Sequence, residues 1–337
     1  MGLKEWYPFI RRKGYNPVVL YQSVLASTST NGRRRLDVLG TCYKVIRNAY
    51  SNHTQEEANL ILEKEVGRFG STSGMTLYID GCQAAEKSDT AADRQRHREK
   101  AWERTVTCLD TLEYRIENKL RLRRRHFVDV RSGLSSSFYW SLESRKNFAE
   151  HMEDKGWTLG DVKTEADLAI AIDAQPGDTI ISADSDMLAY ASIRTLWRPV
   201  SKGLILSYVV SDLLQVLGVS RSQLTALAVV SHNDYNRNIP SMGPVTNFSI
   251  IKSIDGEDPK MVVAGYLEDS RVVAKNKNSK EFDRSIRVFI DYQQTSLAKD
   301  DSRSAPQDMY EQLRERFQHL CTRYEESKRN KKEEPNA

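Results

Sequence analysis

Seven acids fall where the chain passes from one element to the next: Asp37, Asp80, Glu165, Asp167, Asp184, Asp186 and Asp234. Hard carboxylate oxygens without thiolate or imidazole partners suit Mg²⁺ or Mn²⁺, and a set this large suits two ions. A cation held this way can activate a bound water or offset charge developing on an oxygen. The four cysteines form no C-x-x-C pair, and the six histidines show no H-x-x-x-H or H-E-x-x-H spacing, which argues against zinc and against a disulfide framework. Any single acid pair is weak evidence, because 46 of 337 residues are Asp or Glu. The order of the whole set carries the reading.

Such acids need rigid supports. Short apolar runs alternate with longer helical patterns, which predicts an α/β fold with a mainly parallel sheet. Met75–Asp80 and Asp178–Asp184 read as buried strands that end in acids, Arg35-Leu36-Asp37 as a third, and Leu204–Val209 as a strand nearer an edge. In such sheets ligands gather at the C-terminal ends of strands. Helical spacing covers residues 40–50, 165–174 (with Thr164 as N-cap) and 221–231. Residues 86–126 read as a long charged helical stretch, 131–145 as a serine-rich loop with aromatic anchors, and the face Met309, Leu313, Phe317, Leu320, Tyr324 as a late helix. No run is apolar enough to span a membrane. The first six residues lack a signal-peptide pattern, so the expectation is an intracellular protein, nuclear ahead of cytoplasmic.

The net charge is only +4, but residues 94–125 carry eleven Lys and Arg against five acids. This block either grips a polyanion or is a solvated, salt-laced helix surface.

The acids and their surroundings resemble the flap endonuclease/XPG family of structure-specific nucleases over about residues 1–250. Met1-Gly2-Leu3 with Tyr7–Ile10 is similar to that family's opening, although Glu5 replaces a usual Gly. Gly32-Arg33-Arg34-Arg35-Leu36-Asp37 is similar to its first acid-bearing strand, Tyr78-Ile79-Asp80-Gly81 to its [VI]-F-D-G, and Glu165-Ala166-Asp167 to its E-A-[ED]-A. Asp184-Ser185-Asp186 resembles D-x-D. Asp234-Tyr235, Ile239 and Met242-Gly243-Pro244 resemble the opening of a helix–two-turn–helix element, with Ser241 at the place of its first Gly and His232 at that of the Gly before the acid.

The resemblance implies a PIN-like 5′-nuclease core over 1–250, with a helical arch over about 86–150 and a helix–two-turn–helix over about 218–255. A C-terminal extension (251–326) and a disordered basic tail (327–337) would follow. It implies a structure-specific 5′ flap endonuclease or 5′ exonuclease with two Mg²⁺ or Mn²⁺ ions, K⁺ at the helix–two-turn–helix, and nucleic acid as partner, DNA ahead of RNA, as in DNA repair. The seven acids would hold metal, with Asp80 and Asp184 central to the chemistry. Lys87 and Arg94 follow Asp80 at the offsets of the family's scissile-phosphate cations; seven residues, about two helical turns, separate them, so one helix would project both from one face. Tyr43 either stacks on a terminal base or is a helix core residue. Arg98, Arg121, Arg123, Arg124 and Arg125 would bind the strand. No sliding-clamp motif is present. The rival reading is a nuclease-fold scaffold that binds RNA or partners without cutting.

Overall fold

Arg34–Asp37, Met75–Tyr78 and Thr179–Ile181 are buried along their whole length, the signature of strands covered on both faces of a parallel sheet. The computed structural model describes residues 3, 5–27, 32–278, 280, 282–296 and 304–333. In chain order the strands are β1 (Val18–Tyr21), β2 (Arg34–Asp37), β3 (Met75–Tyr78), β4 (Thr158–Leu159), β5 (Thr179–Ile181), β6 (Thr195–Pro199) and β7 (Leu204–Val209). They form one mixed sheet of order β1-β7-β6-β5-β2-β3-β4. β6-β5-β2-β3-β4 pair in parallel, and β7 runs antiparallel to both β6 and β1. β5, β2 and β3 are therefore adjacent and point the same way, which brings their acid-bearing ends side by side.

Two arginines in a central strand need buried partners. Arg34 donates to the carbonyls of Leu25 (2.6 Å) and Phe69 (2.7 Å) and lies over the Trp197 ring. Arg35 pairs with Asp178 at 2.6 Å and donates to the Tyr78 hydroxyl.

The helices are α1 (Trp6–Arg12), α2 (Val38–Asn52), α3 (Gln55–Val66), α4 (Ser88–Glu117), α5 (Arg124–Ser137), α6 (Leu142–Asp154), α7 (Ala166–Asp173), α8 (Val210–Leu217), α9 (Arg221–Val230), α10 (Pro244–Lys252), α11 (Pro259–Glu268), α12 (Ser270–Val273), α13 (Asp283–Phe289) and α14 (Ser304–Glu333). Among the described residues no single helix is long and apolar enough to cross a membrane.

The chain divides into two compact units. The first comprises Met1–Tyr43, Asn59–Thr90 and Leu142–Ala298; the second comprises Lys44–Ala58, Ala91–Ser141 and Lys299–Ala337. In the first, α9 is buried at nearly every position and is wrapped by α10, α11 and α13. The core continues through Val262, Val263, Tyr266, Phe282, Val288 and Phe289, so the expected boundary at residue 250 does not coincide with a break in packing. Each such fully buried side chain contributes roughly 1.5–3 kcal/mol.

The second unit is helical. α14 packs on α5, with Phe127 against Tyr324 and Arg131 over the Phe317 ring, and Arg316 pairs with Asp110 (2.8 Å) and Glu113 of α4.

Three expectations change. Residues 131–137 continue α5 instead of forming a loop, because Val130 and Leu134 bury one face and Gly133 sits against Thr105 where a Cβ would collide. The stretch 86–150 is not one body: α6 belongs to the first unit, held by buried Phe148 and Met152, while α5 and α4 beyond Thr90 belong to the second. The expected tail at 327–333 is the end of α14, and residues 334–337 lie outside the described ones.

Candidate active site

Parallel strand ends present the first acids. Asp37 closes β2, and the turn beyond it lets Gly40 N donate to Asp37 Oδ1 (2.8 Å) while Ser182 Oγ, just past β5, donates to Asp37 Oδ2 (2.7 Å). A Cβ on Gly40 would strike that carboxylate, so glycine is required there. Asp80 follows β3 by two residues, and its Oδ1 accepts the free Ala166 N–H at the start of α7 (2.8 Å). Gly81 lies against the backbone of Val162 and Lys163 with no room for a side chain, and Gly81 N donates to Thr164 O (2.7 Å). The β3 turn is thereby stitched to the N-terminus of α7.

Glu165 is the N-cap residue of α7, and Asp167 lies in its first turn, where the helix dipole favours negative charge. The expected cap, Thr164, instead directs its hydroxyl to Gln294 Oε1 (2.7 Å). Asp184 and Asp186 sit on the turn after β5, which the N-terminal segment secures: Tyr7 OH donates to Asp184 O (3.2 Å) and Ser185 Oγ to Leu3 O (3.3 Å).

Burial dominates the electrostatics. It pushes the Asp37 carboxyl up to about 8, with Asp80 adding to the effect, and Asp167 up to about 7 despite the opposing pull of Lys87. Asp80, Asp184 and Asp186 are raised for the same first reason. Asp80 is raised further by Glu165, Asp184 by Asp234, and Asp186 by Asp184 and Asp234. Asp186 is fully buried, and neither of its carboxylate oxygens has a hydrogen-bond partner.

The cation among these acids is Lys87. Its Nζ donates to Glu165 Oε2 (2.9 Å), lies 3.9 Å from Asp234 Oδ2 and stands over the Tyr235 ring. Burial opposes its charge, but Glu165, Asp167 and Asp234 outweigh it and hold the ammonium above its usual range. Thr90 Oγ1 donates to Asp234 O (2.7 Å) and so fixes the turn that carries this acid.

All seven predicted acids therefore belong to one unit and feel one another's charge. Lys87 joins them, but from a 3-10 turn (Ala85–Lys87) that precedes α4. α4 begins at Ser88, directly after Lys87, and Arg94 lies on the part of α4 in the second unit. Arg98 there donates to Gln95 and lies over the Tyr139 ring. Arg121, Arg123, Arg124 and Arg125 are exposed around the start of α5, whose first turn carries no acid. Tyr43 is an exposed residue of α2, not a core one.

Several contributors have no distinguishing signal in the sequence. Arg145 donates to the carbonyls of Asp80 (3.0 Å) and Gly81 (2.8 Å), and Tyr190 OH to Asp167 Oδ2 (3.3 Å). In the second unit, a groove of about 940 Å³ between α2, α5 and α14 is lined by Lys44, Arg47, Arg131 and Arg314. Ser182, which donates to Asp37, is a further contributor that the sequence reading did not single out.

An all-oxygen donor set with an unpartnered buried carboxylate fits hard divalent ions. Among the described residues, no group of three or more His, Cys, Asp or Glu is drawn together to hold one as it stands. At the start of the α9–α10 turn, Ser231 O accepts from Asn233 and Asn236, Ala228 O from Asn233, and Val230 O from Asn247.

No protein-family model and no curated protein matches the chain. Among solved structures, the catalytic core of Rad2 bound to DNA substrate is 16% identical, with 92% of this chain and 85% of that one covered at a TM-score of 0.48. Human GEN1 with Holliday junction DNA is 12% identical over 100% and 81%, at 0.49. Flap endonuclease-1 from Methanococcus jannaschii is 13% identical over 97% and 100%, at 0.50. With its mainly parallel sheet and acid-tipped strand ends, the chain shares the mixed α/β fold of that flap endonuclease.

Proposed function

We propose that this protein is a metal-dependent nuclease that hydrolyses phosphodiester bonds, a structure-specific 5′ flap endonuclease or 5′ exonuclease acting on DNA. The observation that carries the reading is the Asp186 carboxylate, buried without a partner among six other acids and one lysine. Burying charge uncompensated is costly, and an enzyme that needs cations accepts that cost.

Asp37, Asp80, Glu165 and Asp167 would hold one side of a pair of Mg²⁺ or Mn²⁺ ions, and Asp184, Asp186 and Asp234 the other. When bound, such ions lower the pKa of water and offset charge on the leaving oxygen. The chain's own work is to hold the carboxylates in place. Ser182 and Gly40 fix Asp37, the α7 N-terminus fixes Asp80, and Lys87 supplies positive charge beside the reacting phosphate. The exposed arginines near α5 suit phosphate backbones.

The likeness to a flap endonuclease supports the fold this chemistry uses. The experiment is a panel of 5′-labelled flap, nicked duplex, hairpin, single-stranded DNA and RNA, each with Mg²⁺ or EDTA. Mg²⁺-dependent cleavage of a branched DNA supports the reading. Binding without cleavage on every substrate favours the scaffold, for which the Lys87 pairing with Glu165 and Asp234 already provides internal charge balance.

A further inference from the structure

We propose that residues 292–296 form a strap that sets the positions of Lys87, Glu165 and Asp234, with Gln294 as its positioning residue. The inference rests on the metal-dependent reading above.

This segment follows α13, in a region where sequence periodicity is weak, and it touches each site element in turn. Tyr292 adopts a left-handed backbone (φ 56°), strained for a bulky residue, and its ring packs against that of Tyr190, whose hydroxyl reaches Asp167. Gln294 bridges two neighbours of catalytic acids. Its Oε1 accepts from Thr164 Oγ1 (2.7 Å), one residue before Glu165, and its Nε2 donates to Tyr235 OH (3.0 Å), one residue after Asp234. Thr295 completes the set. Its carbonyl accepts Ala85 N (2.8 Å), and its N–H donates to the Glu86 carboxylate (3.1 and 3.2 Å), one residue before Lys87. Ser296 adds an antiparallel bridge to Ala84.

Three segments distant in sequence are thus pinned by three consecutive residues, Gln294 to Ser296, next to Lys87, Glu165 and Asp234. Glu86 is itself 4% exposed, and its other partner is Arg287 of α13. Groups bonded directly to metal ligands typically contribute 10- to 100-fold in metal affinity, and Gln294 acts on Glu165 and Asp234 through the residues beside them.

The test is Mn²⁺ binding by calorimetry to the full chain and to Gln294→Met, which keeps volume but loses both hydrogen bonds. Tyr235→Phe serves as a second variant that removes only the Tyr235 partner. The expected result is affinity lowered about 10-fold or more, with a thermal midpoint in EDTA near that of the parent. Parent-like affinity in Gln294→Met, or a loss no larger than its destabilisation accounts for, overturns the proposal while leaving the metal reading intact. Absence of Mn²⁺ binding by the parent chain overturns both.

Discussion

Lys87 and Glu165 form a nearly buried ion pair, 2.9 Å from Nζ to Oε2, with only 10% and 18% of their side chains exposed. Asp234 approaches the same ammonium at 3.9 Å. One lysine therefore balances carboxylates from two separate segments, and the site before metal binding is held by an internal cation. Removing one partner of such a pair leaves a buried charge uncompensated, at about 3–5 kcal/mol.

Lys87→Met should melt well below the parent in EDTA at pH 8, and the gap should narrow at pH 5. The sign follows from Asp167 and Asp186, whose carboxyls are raised by burial and take up protons as pH falls, so less charge is left for the lysine to balance. Mg²⁺ should narrow the gap at pH 8. The single-turnover rate should drop roughly 10²–10³-fold, the usual loss for one electrostatic donor. A pH-independent gap in melting temperature would contradict the role.

Asp186→Asn should abolish cleavage and raise the melting temperature in EDTA. Nothing donates to either oxygen of Asp186, and Asp184 and Asp234 repel its charge. The amide removes that repulsion in nearly the same volume. The check is a pair of melts with and without Mg²⁺: stabilisation should appear only without the ion. A lower midpoint in EDTA would mean that Asp186 has a structural partner.

Without metal, stability should fall as pH rises from about 4 to about 8. Asp37 titrates near its usual value in the unfolded chain but near 8 in the fold. Between those limits the folded state holds the extra proton, so raising pH favours unfolding, by at most about 1.4 kcal/mol per pH unit for each retained proton. Saturating Mg²⁺ should flatten or reverse the slope. Equilibrium urea unfolding at pH 5, 6.5 and 8 measures it, and an EDTA series that rises with pH would refute the assignment.

The acids were legible because each stands at an element end in a recurrent order, and period-2 and period-3.6 patterns placed β3, β5, β7, α7 and α9 near where they lie. What escaped the sequence depends on partners distant in it. A strand reading Arg34-Arg35-Leu36-Asp37 is central only because Asp178, Tyr78 and the carbonyls of Leu25 and Phe69 absorb its two guanidiniums. Lys87 was found by its offset from Asp80, but its pairing with Glu165 and Asp234 depends on segments far along the chain. Gln294 and Arg145 are polar residues in unremarkable surroundings, and their meaning lies in the carbonyls and hydroxyls they meet.

Charge reversal at Arg121, Arg123, Arg124 and Arg125 should weaken nucleic-acid binding and make it less sensitive to salt. These residues surround the acid-free start of α5, where the helix dipole adds positive potential instead of relieving it. Each lost phosphate contact should flatten the slope of log K against log salt by about 0.9 for duplex or 0.7 for single strand. Fluorescence anisotropy between low and moderate salt reads this directly. An unchanged slope would identify the block as a solvated surface.

The α9–α10 turn separates a folding role from a binding role at two neighbouring positions. Ser241 adopts φ 62°, a left-handed conformation that a Cβ penalises, whereas Gly243 has φ −86° and open space, with no heavy atom within 4 Å, where a Cβ would stand. Ser241→Gly should therefore stabilise the protein by about 0.5–1 kcal/mol, the strain relief exceeding the added chain entropy. Gly243→Ala should leave stability within about 0.5 kcal/mol, because the fold makes no demand for glycine there. Yet Gly243 is the N-cap residue of α10, and the open space at its missing side chain permits close approach by a phosphate. If that turn grips duplex, Gly243→Ala should weaken duplex binding several-fold while Ser241→Gly leaves it unchanged. Melting curves and duplex titrations on both variants decide it: a Gly243→Ala protein that binds like the parent would remove this turn from the nucleic-acid interface.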